Sequence, residues 1–588
     1  MDATAVAIRL DAVERRFGGI VALRGISVDV RRGIITGLVG PDGAGKTTLM
    51  RLMAGLLAAD GGSLRVEGCD PVREGDALRA RLGYMPQKFG LYEDLSVQEN
   101  LDLYADLRGV VGAARAARLA RLLQFTDLAP FTARMAGKLS GGMKQKLGLA
   151  CALLGDPRIL LLDEPSVGVD PISRRELWKI VRELCAGGMT VLWSTSYLDE
   201  AELCDEVLLL SEGELKFGGR PADLTARLEG RVIQVRDADG NRRRVLQRAL
   251  RLPGVIDGVI QGHAVRLVLR DRAARPDVAA LQAGPAARLV DVKPRFEDAF
   301  IDLLGGGPGG DSVLAGVMAP VADGKPGEAV IEASHLTRRF GDFTAADDIT
   351  FAVRRGEIFG LLGPNGAGKS TTFKMMCGLL APSAGRAAVM GIDLKSSASR
   401  ARQRLGYMAQ KFSLYGRLSV RQNLEFFSGV YGLAGRAQRA RIAEMVEAFD
   451  LARYVDDPAE TLALGYKQRL ALACAIMHEP AVLFLDEPTS GVDPITRREF
   501  WTHINGVVDK GVTVIVTTHF MDEAEYCDRI GLVYRGQLIA AGTPDALKDS
   551  VVAPGRAEPT MEDAFIELVE RRDRQAAAGA GATGARHA

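Results

Sequence analysis

The chain has 588 residues and an almost balanced charge, with 75 basic and 74 acidic residues. This length predicts two large domains with smaller additions, and the balanced charge argues against a dedicated nucleic-acid binder. The seven cysteines include no CxxC pair, so we expect small buried thiols rather than a zinc site or a disulfide scaffold. No apolar run approaches the roughly 18 residues that cross a bilayer.

The first predicted elements form a strand, a glycine-rich loop and a helix. The strands IRLDAV and IITGLVG precede PDGAGKTT, and LMRLMAGLL follows it. This is the context of a phosphate-binding loop, because glycine N–H groups can surround phosphates and a helix N-terminus attracts anions. Lys46 is predicted to reach the β- and γ-phosphates, and the hydroxyl of Thr47 to bind Mg²⁺. The loop therefore predicts an ATP site, with a purely structural glycine turn as the alternative.

A second group of polar residues follows the apolar run ILLLDEP. This run predicts a buried parallel strand, so its acids emerge at the carboxyl end, where ligands bind in open α/β sheets. Asp163 is expected to hold Mg²⁺ and Glu164 to act as a general base on the attacking water. A solvated acidic turn is the alternative.

The whole arrangement occurs twice. GPDGAGKTT at Gly40–Thr48 returns as GPNGAGKST at Gly363–Thr371, and one offset of 323 residues also relates the pairs Gln87 and Gln410, Asp163 and Asp486, and Trp178 and Trp501. Glu487 correspondingly repeats Glu164. A constant offset indicates duplication, which makes a structural turn an unlikely explanation of the loops. The predicted loop residues of the first copy are Gly40, Asp42, Gly43, Ala44, Gly45, Lys46, Thr47 and Thr48. Those of the second are Gly363, Asn365, Gly366, Ala367, Gly368, Lys369, Ser370 and Thr371.

The offset breaks only once. The segments PRFEDAFIDLL and EPTMEDAFIELV lie 265 residues apart, so the first copy has 58 additional residues between about Leu224 and Lys293. Alternating apolar residues around an Asp-Gly turn predict a small strand-bearing accessory domain there. Glycine-rich sequence predicts a flexible linker, and the low-complexity end predicts disorder. The predicted boundaries are 1–223 for the first nucleotide-binding domain, 224–304 for the accessory α+β domain ending in its EDAF segment, 305–328 for the linker, 329–547 for the second nucleotide-binding domain, 548–570 for the C-terminal EDAF segment and 571–588 for the disordered tail.

LSGGMKQKL at Leu139–Leu147 resembles the signature of ATP-binding cassette (ABC) proteins, and the resemblance covers nearly all of both repeats. It implies an α/β fold with two P-loop NTPase (RecA-like) cassettes. Each cassette would have an antiparallel β subdomain and a helical signature subdomain, with the small accessory domain after the first. In this family, two cassettes close head to tail around two ATP molecules, each held by the phosphate loop of one cassette and the signature of the other.

The resemblance also implies further site residues. Gln87 and Gln410 belong to glutamine loops beside Mg²⁺, together with Thr47, Ser370, Asp163 and Asp486. Phe17 and Phe340 are placed to stack on adenine. The signatures are Ser140, Gly141 and Gly142 in the first copy and Ala463, Leu464 and Gly465 in the second. The family's switch histidine is His519 in the second copy, and Ser196 takes its position in the first.

These departures predict unequal sites. Head-to-tail pairing would combine Lys46, Glu164 and Ser196 with the altered signature, and Lys369, Glu487 and His519 with the intact one. One site would then be catalytic, with Glu487, His519 and Gln410, and the other degenerate, although Glu164 is retained. Independent drift with two active sites is the alternative.

The EDAF segments are similar to the carboxyl ends of cassettes that serve ABC-2 type exporters. The resemblance therefore implies separate ABC-2 type integral membrane permease subunits as partners and a peripheral location on the cytoplasmic face of the inner (plasma) membrane. The cassettes are expected to pair within one chain, without nucleic acid. A tandem ABC ATPase that acts on ribosomes is the alternative, but such proteins usually carry two intact signatures and a charged helical linker.

Overall fold

The computed structural model describes residues 6–87, 90–238, 242–321, 325, 327–410, 414–552 and 559–584. The chain divides into two compact units. The first comprises Met1–Val232, Val292–Gly306 and Gly491–Ile495, and the second comprises Ile233–Asp291, Gly307–Ser490 and Thr496–Ala588. In the described part of the chain, no helix combines the length and the apolar character needed to span a membrane.

The first cassette is an α/β domain. Its strands are β1 (Val6–Phe17), β2 (Ile20–Arg31), β3 (Ile35–Val39), β4 (Gly61–Val66), β5 (Leu82–Met85), β6 (Ile159–Asp163), β7 (Thr190–Thr195), β8 (Glu206–Ser211) and β9 (Glu214–Gly219). Its helices are α1 (Lys46–Met53), α2 (Gly75–Arg79), α3 (Val97–Leu107), α4 (Gly112–Phe125), α5 (Gly141–Leu153), α6 (Pro171–Ala186), α7 (Leu198–Leu203) and α8 (Pro221–Thr225).

The main sheet of this cassette has the order β5-β6-β7-β3-β8-β9, and all of its pairings are parallel except that of β9. Every residue of β3, β6 and β7 is buried, which explains the nearly continuous apolar sequences of β3 and β6. The carboxyl ends of these three neighbouring strands therefore lie at one edge of the sheet. A separate antiparallel sheet, β2-β1-β4, forms the predicted β subdomain.

The accessory domain consists of β10 (Val232–Arg236), α9 (Arg242–Leu250), β11 (Val255–Gln261), β12 (Ala264–Leu269), α10 (Val278–Leu281) and β13 (Arg288–Asp291). The sheet order is β11-β12-β10-β13. The expected Asp-Gly turn lies outside the described residues. The sequence after the turn forms a helix, and the buried Val245, Leu246 and Ala249 of α9 follow helical spacing. Nearly all of this domain belongs to the second unit.

The chain continues through α11 (Phe296–Leu303), which contains the first EDAF sequence, and α12 (Val313–Val317). The prediction of a flexible linker was wrong for 312–321. Ser312 Oγ lies 3.2 Å from Nδ1 of His503, the backbone N–H of Val321 donates to the carbonyl of Lys510, and Leu314 is fully buried. Apolar residues within the glycine-rich sequence thus pack this segment against the second cassette.

The second cassette repeats the architecture of the first. Its strands are β14 (Ala329–Phe340), β15 (Phe343–Arg354), β16 (Ile358–Leu362), β17 (Ala384–Val389), β18 (Ile392–Asp393), β19 (Leu405–Met408), β20 (Val482–Asp486), β21 (Thr513–Thr518), β22 (Arg529–Tyr534) and β23 (Gln537–Gly542). Its helices are α13 (Lys369–Met376), α14 (Leu394–Arg402), α15 (Val420–Val430), α16 (Gly435–Ala448), α17 (Leu464–Ile476), α18 (Pro494–Asp509) and α19 (Pro544–Asp549). The sheets β19-β20-β21-β16-β22-β23 and β15-β14-β17-β18 correspond to those of the first cassette.

The last helix, α20 (Met561–Gly584), contains the second EDAF sequence and extends beyond it. The prediction that the tail is disordered from residue 571 was therefore wrong for residues 571–584. Phe565 and Val569 are buried, and Asp573 accepts a hydrogen bond from the Tyr534 hydroxyl at 2.9 Å. The alanines that gave the tail its low complexity also have the highest helix propensity.

Candidate nucleotide sites

Each phosphate loop connects a fully buried strand to a helix that begins at the loop lysine. Gly45 precedes α1 with φ of 102°, and Gly368 precedes α13 with φ of 100°. A Cβ atom on Gly368 would lie only 2.2 Å from the carbonyl oxygen of Ala345, so the loop requires glycine there. These loops fit the phosphates of ATP, because they present backbone N–H groups and a helix N-terminus to the same space.

The loop lysines are buried and folded back over their own loops. Lys46 Nζ donates to the carbonyl oxygens of Gly40 at 2.7 Å and Pro41 at 3.2 Å. Lys369 makes the same two bonds, to Gly363 and Pro364. The ammonium groups are thus already held at the mouth of each loop.

The strand-end acids lie beside these lysines. Asp163 is the last residue of β6 and Glu164 follows it. Both are buried, and Thr47 Oγ1 donates to Asp163 Oδ1 at 3.3 Å. Burial raises the pKa of Asp163 to about 6, and the charge of Glu164 contributes to the rise. Oδ2 of Asp163 has no hydrogen-bond partner in the described parts of the chain. A hydroxyl and a carboxylate with an open oxygen are donors that suit Mg²⁺.

The second cassette has the same pair of donors. Ser370 Oγ donates to Asp486 Oδ1 at 3.5 Å, and burial raises the pKa of Asp486. Both glutamates that follow these aspartates adopt the left-handed region, with φ of 50° for Glu164 and 47° for Glu487. A positive φ is uncommon for glutamate, and the similar values show that the two loops share this backbone conformation.

The two glutamine loops meet these glutamates. Gln87 Nε2 donates to Glu164 at 2.9 Å, and Gln410 Nε2 donates to Glu487 at 2.8 Å. The sequence placed both glutamines beside Mg²⁺, and the structure places their amides on the glutamate next to the predicted metal ligand.

The sites differ at the switch position. Nδ1 of His519 lies 3.1 Å from Oε2 of Glu487, and Lys369 Nζ lies 4.0 Å from Oε1. Burial opposes ionisation of Glu487, but the hydrogen bond and charge of His519, with the lysine and glutamine, lower its pKa below the ordinary value. In the first cassette, Ser196 is buried at the matching position, and its Oγ has no hydrogen-bond partner among the described residues.

The two signature helices also begin differently. Ser140 caps α5 by accepting a hydrogen bond from the Met143 N–H at 3.3 Å. Ala463 occupies the same position before α17 and makes no side-chain cap, and Leu464 is the first helical residue. The second signature therefore lacks the hydroxyl that the first one has.

The two aromatic residues predicted to stack on adenine lie at the ends of β1 and β14. Phe17 and Phe340 are 44% and 48% exposed, and Arg15 and Arg338 lie over their rings at 4.7 and 4.6 Å. The rings are accessible next to the turn of each hairpin, as stacking on a base requires.

Sequence reasoning missed one buried carboxylate in each cassette. Glu200 accepts hydrogen bonds from Ser166, Trp193 and Thr195. Glu523 is its counterpart and accepts from Thr518 at 2.7 Å and from Thr489. The signal was present, because the sequences LDEAE and MDEAE repeat at the common offset.

The fold and these sites define a protein with two ATP-binding cassettes. The ABC transporter family model matches residues 23–167 and 346–490. The chain is 62% identical over 570 residues to the probable multidrug ABC transporter ATP-binding protein YbhF of Escherichia coli (strain K12), a match that covers 97% of this chain and 98% of the relative. The chain therefore belongs to the ABC transporter family and is a tandem two-cassette ATPase.

Two further relatives match this chain over about the length of one cassette. The Nod factor export ATP-binding protein I of Burkholderia orbicola (strain AU 1054) is 42% identical over 38% of this chain and 74% of its own. The daunorubicin resistance ATP-binding protein DrrA3 of Streptomyces coeruleorubidus is 42% identical over 39% of this chain and 73% of its own.

Proposed function

We propose that this ATPase powers substrate export through separate ABC-2 type membrane subunits. The support is the similarity over 97% of the chain to a protein named as a probable multidrug transporter component. Two shorter relatives are named for Nod factor export and daunorubicin resistance. The protein would then act as a peripheral subunit on the cytoplasmic face of the inner membrane.

Two exposed tyrosines suit an interface with such subunits. Tyr92 and Tyr415 follow the glutamine loops and are 56% and 48% exposed. Tyr415 forms an edge-to-face contact with Phe426, itself partly exposed, which gives this surface an aromatic character. Aromatic side chains are enriched in protein interfaces, so we propose that these surfaces contact the membrane subunits.

We further propose that the cassettes form two composite ATP sites within one chain. Lys369, Glu487 and His519 would act with the intact signature Ser140–Gly142. Lys46, Glu164 and Ser196 would act with the altered signature Ala463–Gly465. The observation that supports unequal roles is that Gln410, His519 and Lys369 all converge on Glu487, whereas among the described residues the side chain of Glu164 meets only Gln87 and Lys46.

In the competent site, Glu487 would accept the proton of the water that attacks the γ-phosphate. Its lowered pKa keeps the carboxylate ionised and ready to do so. His519 would hold that carboxylate in place, and Lys369 would neutralise charge that develops on the phosphate oxygens. Ser140 and the N–H groups that begin α5 would donate to the same phosphate. Mg²⁺, held by Ser370, Asp486 and Gln410, would neutralise the β- and γ-phosphates, and Thr47, Asp163 and Gln87 would hold it in the other site.

In the other site, ATP would bind and turn over slowly or not at all. Ser196 is shorter than histidine, and its Oγ makes no hydrogen bond among the described residues. Ala463 lacks the hydroxyl of Ser140, and the side chain of Leu464 occupies a position where glycine allows close approach of phosphate. Three departures in one composite site favour a binding role for it.

Affinity purification of the tagged chain from detergent-solubilised cells tests the export proposal. We expect one or two polytopic membrane proteins in stoichiometric amount, and less of them with Tyr92→Ala/Tyr415→Ala. Leu56→Ala, an exposed apolar residue outside these surfaces, serves as the control and should leave recovery unchanged. Salt-sensitive recovery of ribosomal proteins without membrane subunits would overturn the proposal in favour of a translation-linked ATPase.

A further inference from the structure

The accessory domain makes a buried ion pair with the second cassette. Asp257 on β11 lies 2.8 Å from Nη1 of Arg498 on α18, and the two side chains are only 3% and 6% exposed. Arg498 also donates to the carbonyl of Gly258 at 3.4 Å. Removal of either partner would leave an uncompensated buried charge.

The same domain also holds the turn that follows the switch histidine. The backbone N–H of Gly262, which follows β11, donates to Glu525 at 2.9 Å, and Glu525 lies in the 3₁₀ turn Asp522–Tyr526. Arg242 on α9 pairs with Asp545 on α19 at 2.9 Å. The accessory domain thus contacts the second cassette at α18, at this turn and at α19.

Helix α18 itself contacts the residues that follow the switch histidine. The guanidinium of Arg497 lies 4.4 Å from the centre of the Phe520 ring, and its Nε lies 3.8 Å from Glu523. Trp501 stacks on Tyr526 with ring centres 4.9 Å apart. A displacement of α18 would therefore move the residues that follow His519.

Glu523 completes the connection to the reacting groups. It accepts a hydrogen bond from Thr518, the residue before His519, and another from Thr489, which follows Glu487 by two positions. The carboxylate is almost fully buried, so it ties the switch strand to the loop after the proposed general base.

We propose that the accessory domain is a brace for the switch segment of the second cassette, and that the Asp257–Arg498 pair is a positioning contact for His519. Arg498 is more deeply buried than its counterpart in the first cassette. Arg175, which corresponds to Arg498 at the common offset, is exposed on α6. The cassette that the accessory domain contacts in this way is the one whose switch residue is histidine, and the inference rests on the proposed hydrolysis at Glu487.

The test compares steady-state ATP hydrolysis by Asp257→Asn and by the wild-type full chain. We expect kcat to fall about tenfold, because small misplacement of a catalytic group is costly, while KM for MgATP stays within about twofold. Hydrogen exchange should quicken in the amides of 519–526 and not in those of 196–203. Arg175→Gln is the matched control and should leave kcat within about twofold of the wild type.

Reversal of the pair, Asp257→Arg with Arg498→Asp, should recover part of the lost kcat. If Asp257→Asn does not fold, Arg242→Ala/Gln247→Ala removes milder contacts, to Asp545 and Asp509, and should lower kcat about threefold. A folded Asp257→Asn or Arg242→Ala/Gln247→Ala protein with wild-type kcat would overturn the brace.

The failure of this inference is distinguishable from failure of the proposed function. If Glu487→Gln abolishes hydrolysis but Asp257→Asn does not slow it, only the brace is wrong. If hydrolysis survives Glu487→Gln, the proposed catalytic site is wrong, and the brace loses the site that it was inferred to support.

Discussion

Nδ1 of His519 lies 3.1 Å from Oε2 of Glu487, and both side chains are buried. In the first cassette Ser196 takes the position of this histidine in the sequence, and its buried hydroxyl makes no hydrogen bond among the described residues. The loop lysine and the glutamine are the same in both cassettes, so this contact is a local difference between the groups that surround the two glutamates.

His519→Ala should lower kcat about 100-fold, because Glu487 loses the group that orients it and lowers its pKa. Ser196→Ala is the matched change in the first cassette and should keep kcat within about twofold. Steady-state phosphate release at saturating MgATP measures both. Equal losses from the two variants would contradict the unequal roles of the sites.

Restoration of the consensus residues should revive the weak site. In a Glu487→Gln background, Ser196→His with Ala463→Ser and Leu464→Gly should raise phosphate release about tenfold, since the switch contact and the signature hydroxyl return together. The same three changes with both Glu487→Gln and Glu164→Gln form the control. A folded triple variant with no gain would argue against the proposed pairing of the first phosphate loop with the second signature.

The buried carboxyl group of Asp42 makes the folding stability of the first cassette depend on pH. Burial raises its pKa from 3.8 to about 7, and Oδ2 has no hydrogen-bond partner in the part of the chain that the structure describes. Because the folded-state pKa is the higher one, the folded chain binds more protons between these two values, and stability falls as pH rises through about 7.

Asp42→Asn should therefore raise the free energy of unfolding of the first cassette by a few kcal/mol at pH 8, with a gain that shrinks towards about pH 4. Calorimetry across that range measures the effect. Asn365→Asp in the second cassette is the reciprocal change and should reduce stability most at high pH. A gain from Asp42→Asn that is equal at pH 4 and pH 8 would show that the carboxylate is not responsible.

The sequence was sufficient to predict the cassettes and most of the residues now placed around each phosphate loop. Lys369 begins α13, Asp486 ends β20, and Glu487 follows it. Local sequence patterns predict these strands and loops, so the positions of the three residues at one sheet edge follow from topology. The repeat offset then transferred each assignment between the copies. The same offset aligns Ser196 with His519, so the difference at the switch position could also be predicted from the sequence.

Other features depend on contacts between distant segments. Asp257 and Arg498 are ordinary charged residues in the sequence, and only the docked domain brings them together in a buried pair. The sequence predicts a linker at 312–321 because this segment follows the glycine-rich residues 305–310, although Leu314 takes a buried position. The left-handed backbone of Glu487 is likewise imposed by its surroundings, since glutamate has no intrinsic preference for it.

The most direct test of the account is the effect of removing each proposed general base. We expect Glu487→Gln to lower steady-state ATP hydrolysis by about 10²–10⁴-fold, whereas Glu164→Gln should leave most of the activity. Equilibrium binding of ATP should persist in both variants, since neither change removes a loop lysine. Equal losses of hydrolysis, or a larger loss from Glu164→Gln, would contradict the assignment of catalysis to the site that contains His519.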